Sequence, residues 1–185
     1  MEEQMARRLV AAEGKKLQQA GLVARTWGNI SCRIDENHFV ITPSGLDYET
    51  MTARDLVLMD IRNGVCCGAH KPSSEKGVHL AAYQTFPEVG YVIHTHQTAI
   101  GLCGFEQLAM TEEEAEKLGG IARAAYGLSS TEKLAGAVYD AMQSGAKVVF
   151  MVHHGVLICG KDREEAFSRA MLLEEICKRS ILGQP

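Results

Sequence analysis

The sequence predicts an α/β protein in which helices surround a central sheet of several short strands. Two patterns lead to this prediction. Apolar residues recur at helical spacing in residues 2–20 and again after Asp162. Between these segments, short apolar runs are bounded by turn residues, which is typical of strands. The 185 residues can bury one core and contain no repeat or linker, so we expect a single domain spanning residues 1–185.

The helices are predicted from apolar periodicity and from their capping residues. The first, at residues 2–20, ends at Gly21. A second begins near Ser73, whose hydroxyl suits the N-cap position, and ends before Pro87. Capping sequences predict three more helices, which begin after Thr111, Ser129 and Asp162.

The strands are predicted where apolar residues alternate or run together. Ile30, Cys32 and Ile34 alternate as in a half-buried strand, and a turn at residues 35–37 leads to a returning strand at 39–41. Apolar runs predict the remaining strands at residues 55–60, 91–96, 147–152 and 156–159.

Composition and charge exclude several classes of function. The formal net charge of −4 argues against a general nucleic-acid binder, although a few backbone N–H groups could still bind one phosphate. No apolar run reaches the roughly 18 residues that a membrane span needs, and the acidic N-terminus does not resemble a signal peptide. The six cysteines form no C-x-x-C pair, so we expect reduced thiols in a cytoplasmic protein.

Histidines stand at the ends of two apolar, strand-like runs. His94 and His96 are two residues apart, so on a strand they share a face. His153 or His154 follows the run at residues 148–152, and Glu75 could add a carboxylate. Three histidines with an open fourth position are typical of catalytic zinc sites. Any one of them could equally be an ordinary core or edge residue, so spacing alone leaves the metal site open.

Small and hydroxylated residues predict an anion site. They occur in two turns and at the start of the second helix, where free N–H groups, hydroxyls and the helix dipole favour negative charge. The plainer interpretation is that the turns are ordinary, that the serines only cap the helix, and that Glu75 is a favourable first-turn carboxylate. The candidate residues are Gly28, Asn29, Ser44, Gly45, Ser73 and Ser74.

The order of these motifs resembles the class II aldolase/adducin-like family. Gly-Asn-Ile-Ser at 28–31, Thr-Pro-Ser-Gly at 42–45, Pro-Ser-Ser-Glu at 72–75, His-Thr-His at 94–96 and His-His-Gly at 153–155 follow the family's order. The likeness covers roughly residues 5–180. It implies a three-layer α/β fold with a mixed, mostly antiparallel sheet, and a cyclic homotetramer with sites at the subunit interfaces.

The resemblance also implies roles for the candidate residues. His94, His96 and His154 correspond to the family's Zn²⁺ ligands, His154 being preferred because it directly precedes the glycine. Glu75 corresponds to the acid/base, which also contacts the metal, and another divalent transition metal could replace zinc. The candidate anion residues correspond to the substrate's phosphate-binding site.

The implied activity is cleavage of a phosphorylated ketose, similar to L-fuculose 1-phosphate, into dihydroxyacetone phosphate and a small aldehyde. Glu75 favours this branch, because the family's 4-epimerases usually carry Asp there. The alternatives are an epimerase or dehydratase, acting on ribulose 5-phosphate or methylthioribulose 1-phosphate. A different class, a metal-free adducin-like assembly module, is disfavoured by the intact histidines.

Two departures from the family leave the substrate open. The aldolase's longer C-terminal tail, which carries a site tyrosine, has no counterpart before Pro185. We therefore expect Tyr126 to serve as the proton donor, although a packed loop aromatic fits the sequence equally well. Residues 104–118, which should shape the aldehyde pocket, match the family poorly.

Overall fold

Eight strands form one sheet in the computed structural model, which describes residues 1–23, 26–96 and 98–183, with only the backbone of Thr98. In chain order they are β1 (Asn29–Arg33), β2 (His38–Ile41), β3 (Val57–Asp60), β4 (Cys66–Cys67), β5 (Tyr91–Thr95), β6 (Ile121–Ala124), β7 (Val148–Met151) and β8 (Gly155–Gly160). Their order across the sheet is β4-β3-β2-β1-β5-β8-β7-β6. Only β6 and β7 pair in parallel among these strands, which confirms the mixed, mostly antiparallel sheet.

Helices cover both faces of the sheet. They are α1 (Glu3–Gln19), α2 (Lys76–Thr85), α3 (Thr98–Leu102), α4 (Glu112–Leu118), α5 (Glu132–Met142) and α6 (Arg163–Ile181), with a 3₁₀ turn at Phe105–Gln107. One core cluster joins α1 and α6 to the sheet, and a second joins α2 and α5 to it. Apolar residues from both faces are therefore buried in three layers. Across the described ranges, no helix is long and apolar enough to cross a membrane.

Three of the predicted helix ends are confirmed. The Thr111 hydroxyl and the Glu114 carboxylate form the predicted capping box of α4. Asp162 caps α6 by accepting a hydrogen bond from the backbone N–H of Glu165, at 2.8 Å. The chain leaves α1 through Gly21, whose φ of +72° is the left-handed conformation that glycine adopts easily.

Two predicted helix starts are wrong. The structure begins α2 at Lys76, and the Ser73 hydroxyl accepts a hydrogen bond from the N–H of Glu75 in a tight turn before the helix. It caps α5 with Thr131 rather than Ser129. At α2 the Ser73 hydroxyl is used within the turn, and no side chain caps the helix. At α5 the Ser129 hydroxyl donates to the Glu75 carboxylate, and Thr131 takes the capping role.

The pairing of three strands determines where functional side chains meet. Asn29 at the start of β1 lies opposite His94 near the end of β5. Val156 at the start of β8 lies opposite Thr95 at the end of β5. The end of β5 is thus flanked by the beginnings of β1 and β8. Long-range antiparallel pairing places residues 29, 94 and 154 at one edge of the core.

Candidate functional site

Three histidines cluster at the end of β5. His94 belongs to β5, His96 follows the strand, and His154 lies in the turn between β7 and β8. Their ligand nitrogens all lie within 4.8 Å of one another. His153, which spacing alone could not separate from His154, is exposed with a φ of +56°. Within the described residues, the structure brings His154 and not His153 into the cluster.

His94 has one ring nitrogen that suits a metal ion. Its Nδ1 donates a hydrogen bond to the carbonyl oxygen of Val156 at 2.9 Å. A neutral imidazole with its proton on Nδ1 carries the lone pair on Nε2. That Nε2 atom is buried and has no hydrogen-bond partner in the part of the chain that the structure describes. The donor set of three imidazoles therefore fits one divalent metal ion.

The surroundings of the cluster keep two imidazoles neutral. Burial lowers the pKa of His94 well below its ordinary value of 6.5, and the neighbouring rings of His96 and His154 lower it further. Burial also lowers the pKa of His96, with a smaller contribution from His154. Only the neutral imidazole binds a metal, so both residues are in their ligand form at neutral pH.

Glu75 lies beside the histidines at the end of the turn that precedes α2. Its Oε1 is 3.8 Å from Nε2 of His154. The hydroxyls of Ser129 and Ser130 donate hydrogen bonds to the same oxygen, at 2.5 and 3.0 Å. The other oxygen, Oε2, is buried with no hydrogen-bond partner among the described residues. The two serines thus orient the carboxylate, and Oε2 remains available to accept a proton or a ligand.

A polar cavity of about 350 Å³ opens beside His96, His154 and Glu75. All of the predicted anion-binding residues line it, and they are Gly28, Asn29, Ser44, Gly45, Ser73 and Ser74. The structure therefore places them together next to the histidine cluster, although they come from three separate segments.

Backbone pairing corrects one expectation about this cavity. The N–H groups of Ser44 and Ser73 already donate to the carbonyls of Lys71 and Thr42, both at 3.0 Å. These two bonds join the loops and leave the side-chain hydroxyls, not the amides, to face a ligand. At Gly45 and Ser74 no described group accepts the backbone N–H, so these amides remain available.

Gly28 has no room for a side chain. Its φ is +88°, and a Cβ atom would lie 2.7 Å from Cγ1 of Val23 and 2.8 Å from the carbonyl oxygen of His94. The backbone of the cavity wall therefore lies against the strand that carries the histidines.

Some residues at the site were missed by sequence reasoning. Ser129 and Ser130 were assigned to a helix cap, and nothing local indicates their bonds to a carboxylate more than fifty residues earlier. Trp27 lines the polar cavity with its ring 6.3 Å from that of His96, yet its side chain is 62% exposed. Its position directly before the Gly-Asn-Ile-Ser motif at 28–31 was the available signal.

Two further cavities border His154. Tyr126 and Leu128 line one of about 250 Å³, together with His96. The other, of about 860 Å³, is largely apolar and is formed by residues 100–107, Arg123 and residues 150–155. Tyr126 is thus near the cluster, as expected, but its side chain is 55% exposed.

Known proteins are similar to this chain in fold and in sequence. A sequence model of the family described as Class II Aldolase and Adducin N-terminal domain matches residues 8–181. The chain is 30% identical to L-ribulose-5-phosphate 4-epimerase UlaF of Salmonella paratyphi C (strain RKS4594), over 91% of this chain and 80% of the relative.

Solved structures superpose on nearly the whole chain. An L-fuculose 1-phosphate aldolase is 31% identical with a TM-score of 0.88, covering 96% of this chain and 85% of that one. A sugar-phosphate aldolase from Thermotoga maritima shares the fold at 21% identity, with a TM-score of 0.82 and coverage of 98% and 97%.

Proposed function

We propose that this chain, which belongs to the class II aldolase and adducin family, is a zinc-dependent aldolase. Its substrate would be a phosphorylated ketose similar to L-fuculose 1-phosphate, and its products dihydroxyacetone phosphate and a small aldehyde. The observation that carries the proposal is the position of Glu75. This carboxylate lies between three clustered histidines and a polar cavity, with one oxygen held by serines.

The metal would be held by His94, His96 and His154, with Glu75 as a further ligand in the absence of substrate. When bound, the ion would supply a Lewis acid for negative charge on the substrate's oxygens. The buried, unpaired Nε2 of His94 supports this assignment, because such an atom is unfavourable unless something binds it.

The polar cavity would bind the substrate's phosphate. The hydroxyls of Ser44, Ser73 and Ser74 and the amide of Asn29 can donate to phosphate oxygens, and Gly28 and Gly45 let the backbone approach closely. Fixing the phosphate at one end would place the ketose carbons beside Glu75. The cavity would therefore determine the orientation of every substrate, whatever its other end.

Glu75 would supply the proton that the product gains on carbon. Cleavage beside a ketone removes a hydroxyl proton, breaks the carbon–carbon bond and leaves an enediolate, which must gain a proton to become dihydroxyacetone phosphate. The free Oε2 of Glu75 is suited to hold that proton, since Ser129 and Ser130 keep Oε1 occupied. Tyr126 lines the adjoining cavity at His154 and is the candidate for taking up the hydroxyl proton from the oxygen that becomes the aldehyde, while its own proton passes to solvent.

A sugar-phosphate 4-epimerase is the second candidate, favoured by the 30% identity to a ribulose-5-phosphate 4-epimerase. It would use the same histidines, phosphate site and carboxylate, and would differ in where the proton goes. A dehydratase of a ketose phosphate would also need the same groups.

We also propose a cytoplasmic homotetramer with active sites at the subunit interfaces. Support comes from Leu102, Tyr126 and Leu128, which line the cavities beside His154 and are 69%, 55% and 65% exposed. A second copy of the chain could bury these apolar side chains. Light scattering on the purified protein measures the number of subunits, and a monomeric mass would contradict this proposal.

The first experiment measures release of dihydroxyacetone phosphate from a panel of ketose 1-phosphates, with and without a chelator. Chelator-sensitive release is the expected result. No release from a zinc-loaded sample would contradict the aldolase, and ribulose 5-phosphate and methylthioribulose 1-phosphate would then test the epimerase and the dehydratase. A protein that binds no divalent ion would instead indicate the metal-free assembly module.

A further inference from the structure

Four buried polar side chains form a continuous chain from α2 to the polar cavity. The Tyr83 hydroxyl lies 2.8 Å from Oγ of Ser31, which lies 2.7 Å from Nδ1 of His79. Nε2 of His79 lies 2.6 Å from Oδ1 of Asn29, the first residue of β1. Ser31 and His79 have no exposed surface, and Tyr83 and Asn29 are only 2% and 6% exposed. We call these three hydrogen bonds the relay.

The far end of the relay determines the direction of its protons. In the described parts of the chain, the Tyr83 hydroxyl has Ser31 as its one hydrogen-bond partner. Its buried proton must therefore point to Ser31, because an unpaired buried O–H is strongly unfavourable. Ser31 then donates its own proton to Nδ1 of His79. His79 carries its proton on Nε2 and donates it to Oδ1 of Asn29.

This direction decides which amide atom of Asn29 is available to a ligand. With Oδ1 held by His79, the two N–H groups on Nδ2 remain, and no described group accepts a hydrogen bond from them. Asn29 lines the polar cavity, and N–H donors attract a phosphate whereas an amide oxygen repels it.

We propose that Ser31, His79 and Tyr83 are positioning residues which hold Asn29 with its N–H groups toward the substrate's phosphate. This inference rests on the proposed function of the polar cavity as the phosphate site. The relay residues do not contact the substrate themselves. They act through Asn29 alone.

Neighbouring contacts keep the relay in place. The Tyr83 ring packs against Phe39 with 4.8 Å between centroids, and the guanidinium of Arg33 donates to the carbonyls of Tyr83 and Phe86. Burial lowers the pKa of His79 to about 3, so its ring stays neutral near neutral pH. Protonation of His79 therefore does not reverse the relay under ordinary conditions.

A double-mutant cycle with inorganic phosphate as the probe tests the relay. Calorimetry on the zinc-loaded full chain compares Asn29→Ala, His79→Leu and the double variant. We expect Asn29→Ala to weaken phosphate binding about 10-fold, as for one lost bond to a charged group. His79→Leu should weaken it about 5-fold in the native background and less than about 2-fold beside Asn29→Ala, because both changes remove one interaction.

A conservative replacement separates positioning from a general structural role. His79→Gln keeps one donor and one acceptor, so phosphate affinity should return to within about 2-fold of the unaltered protein. If His79→Leu does not fold, Tyr83→Phe takes its place in the cycle, since it removes only the hydroxyl group that sets the direction of the relay. Thermal melting and zinc content, measured on each variant, separate lost stability from lost affinity.

The outcomes separate failure of the relay from failure of the phosphate site. Equal weakening by His79→Leu, or by Tyr83→Phe, in both backgrounds would overturn the relay and leave the phosphate site standing. Unchanged affinity in Asn29→Ala, or no phosphate binding by the unaltered protein, would overturn the phosphate site and the relay with it.

Discussion

The two largest cavities at the site meet at His154 and are built in different ways. The polar cavity of about 350 Å³ is lined mainly by polar residues and glycines. Asn29 pairs with β5 and is hydrogen-bonded to α2, and the backbone N–H groups of Ser44 and Ser73 join two loops. The apolar cavity of about 860 Å³ is lined chiefly by α3, the 3₁₀ turn and the β7–β8 turn.

Under the proposed function, this difference indicates which cavity would bind the part common to all substrates and which would bind the part that varies. A network of paired polar groups tolerates little change, so the polar cavity suits the part that all substrates share. Short helices and turns vary more easily, because fewer backbone bonds restrict them. The apolar cavity includes residues 104–107, from the segment that matched the family poorly. It therefore suits the part of the substrate that differs between enzymes, and its larger volume does not mark it as the place of the chemistry.

The largest effect should come from Glu75, which borders the polar cavity. Glu75→Gln keeps the size of the side chain but cannot take up a proton, so turnover should fall by about 10²–10⁴-fold. Zinc content should stay near that of the unaltered protein, since three histidines remain. Steady-state kinetics and metal analysis measure the two quantities. Glu132→Gln, at an exposed carboxylate nearby in α5, is the matched control. Unchanged turnover would remove Glu75 from the mechanism.

Two glycines of the polar cavity should differ in their cost of substitution. Gly28→Ala adds a Cβ that meets Val23 and the His94 carbonyl, in a left-handed conformation. We expect the free energy of unfolding to fall by about 2–4 kcal/mol, from backbone strain plus overpacking. Gly45→Ala has a similar φ of +73° but open space around the Cβ, so it should lose only about 1 kcal/mol. Urea denaturation measures both, and equal losses would contradict the close approach at Gly28.

Acid should lower the free energy of unfolding through His79, which is hydrogen-bonded to Asn29 of the polar cavity. Its pKa falls from 6.5 in the unfolded chain to about 3 in the folded protein because of burial. Between those values only the unfolded chain binds the proton, so the free energy of unfolding falls as the pH is lowered, by about 1.4 kcal/mol per pH unit. His79→Gln does not titrate.

The stability difference between the unaltered protein and His79→Gln should therefore shrink by about 2 kcal/mol from pH 7 to pH 5. Urea denaturation of both metal-free proteins at the two pH values measures this change. Subtracting one profile from the other cancels the titration of the remaining groups. Parallel profiles would show that His79 is not neutral and buried as described.

The smallest effects should come from single substitutions that test the roles of the two cavities separately. Ser44→Ala, in the polar cavity, should lower kcat/KM for every ketose phosphate by the same factor, about 10-fold. Leu102→Trp, in the apolar cavity, should change the ratio of kcat/KM between long and short aldehyde halves by about 10-fold. Inhibition by inorganic phosphate should weaken in the first variant only. A panel of substrates assayed on both variants measures these changes. A changed ratio in Ser44→Ala would contradict separate roles for the two cavities.

Local pattern was enough to predict six of the eight strands and the shared face of His94 and His96, whereas the choice of His154 over His153 came from the family resemblance. The strands around His94 and His154 are continuous apolar runs, and alternation indicated that His94 and His96 share a face. β4 and β6 were not predicted, because β4 has only two residues and β6 carries the exposed Arg123 at the edge of the sheet. Such short edge strands have too little apolar surface to produce a pattern.

Contacts between distant segments could not be predicted. The bonds from Ser129 and Ser130 to Glu75 depend on the packing of α2 against α5, and each serine has an adequate local role as a helix cap. His79 lies among the apolar residues of α2, where periodicity indicates only that it is buried. Its partners Ser31 and Asn29 belong to β1, about fifty residues earlier.

The origin of the three histidines in two distant segments has a consequence for the order of assembly. Of the three clustered histidines, only His94 and His96 are close together in the unfolded chain. The third, His154, arrives only when β8 has paired with β5 and the Val156 carbonyl has oriented the His94 ring. Tight metal capture would thus come late in folding, after the middle of the sheet has closed. The ion would then stabilise the folded sheet and would not initiate its folding.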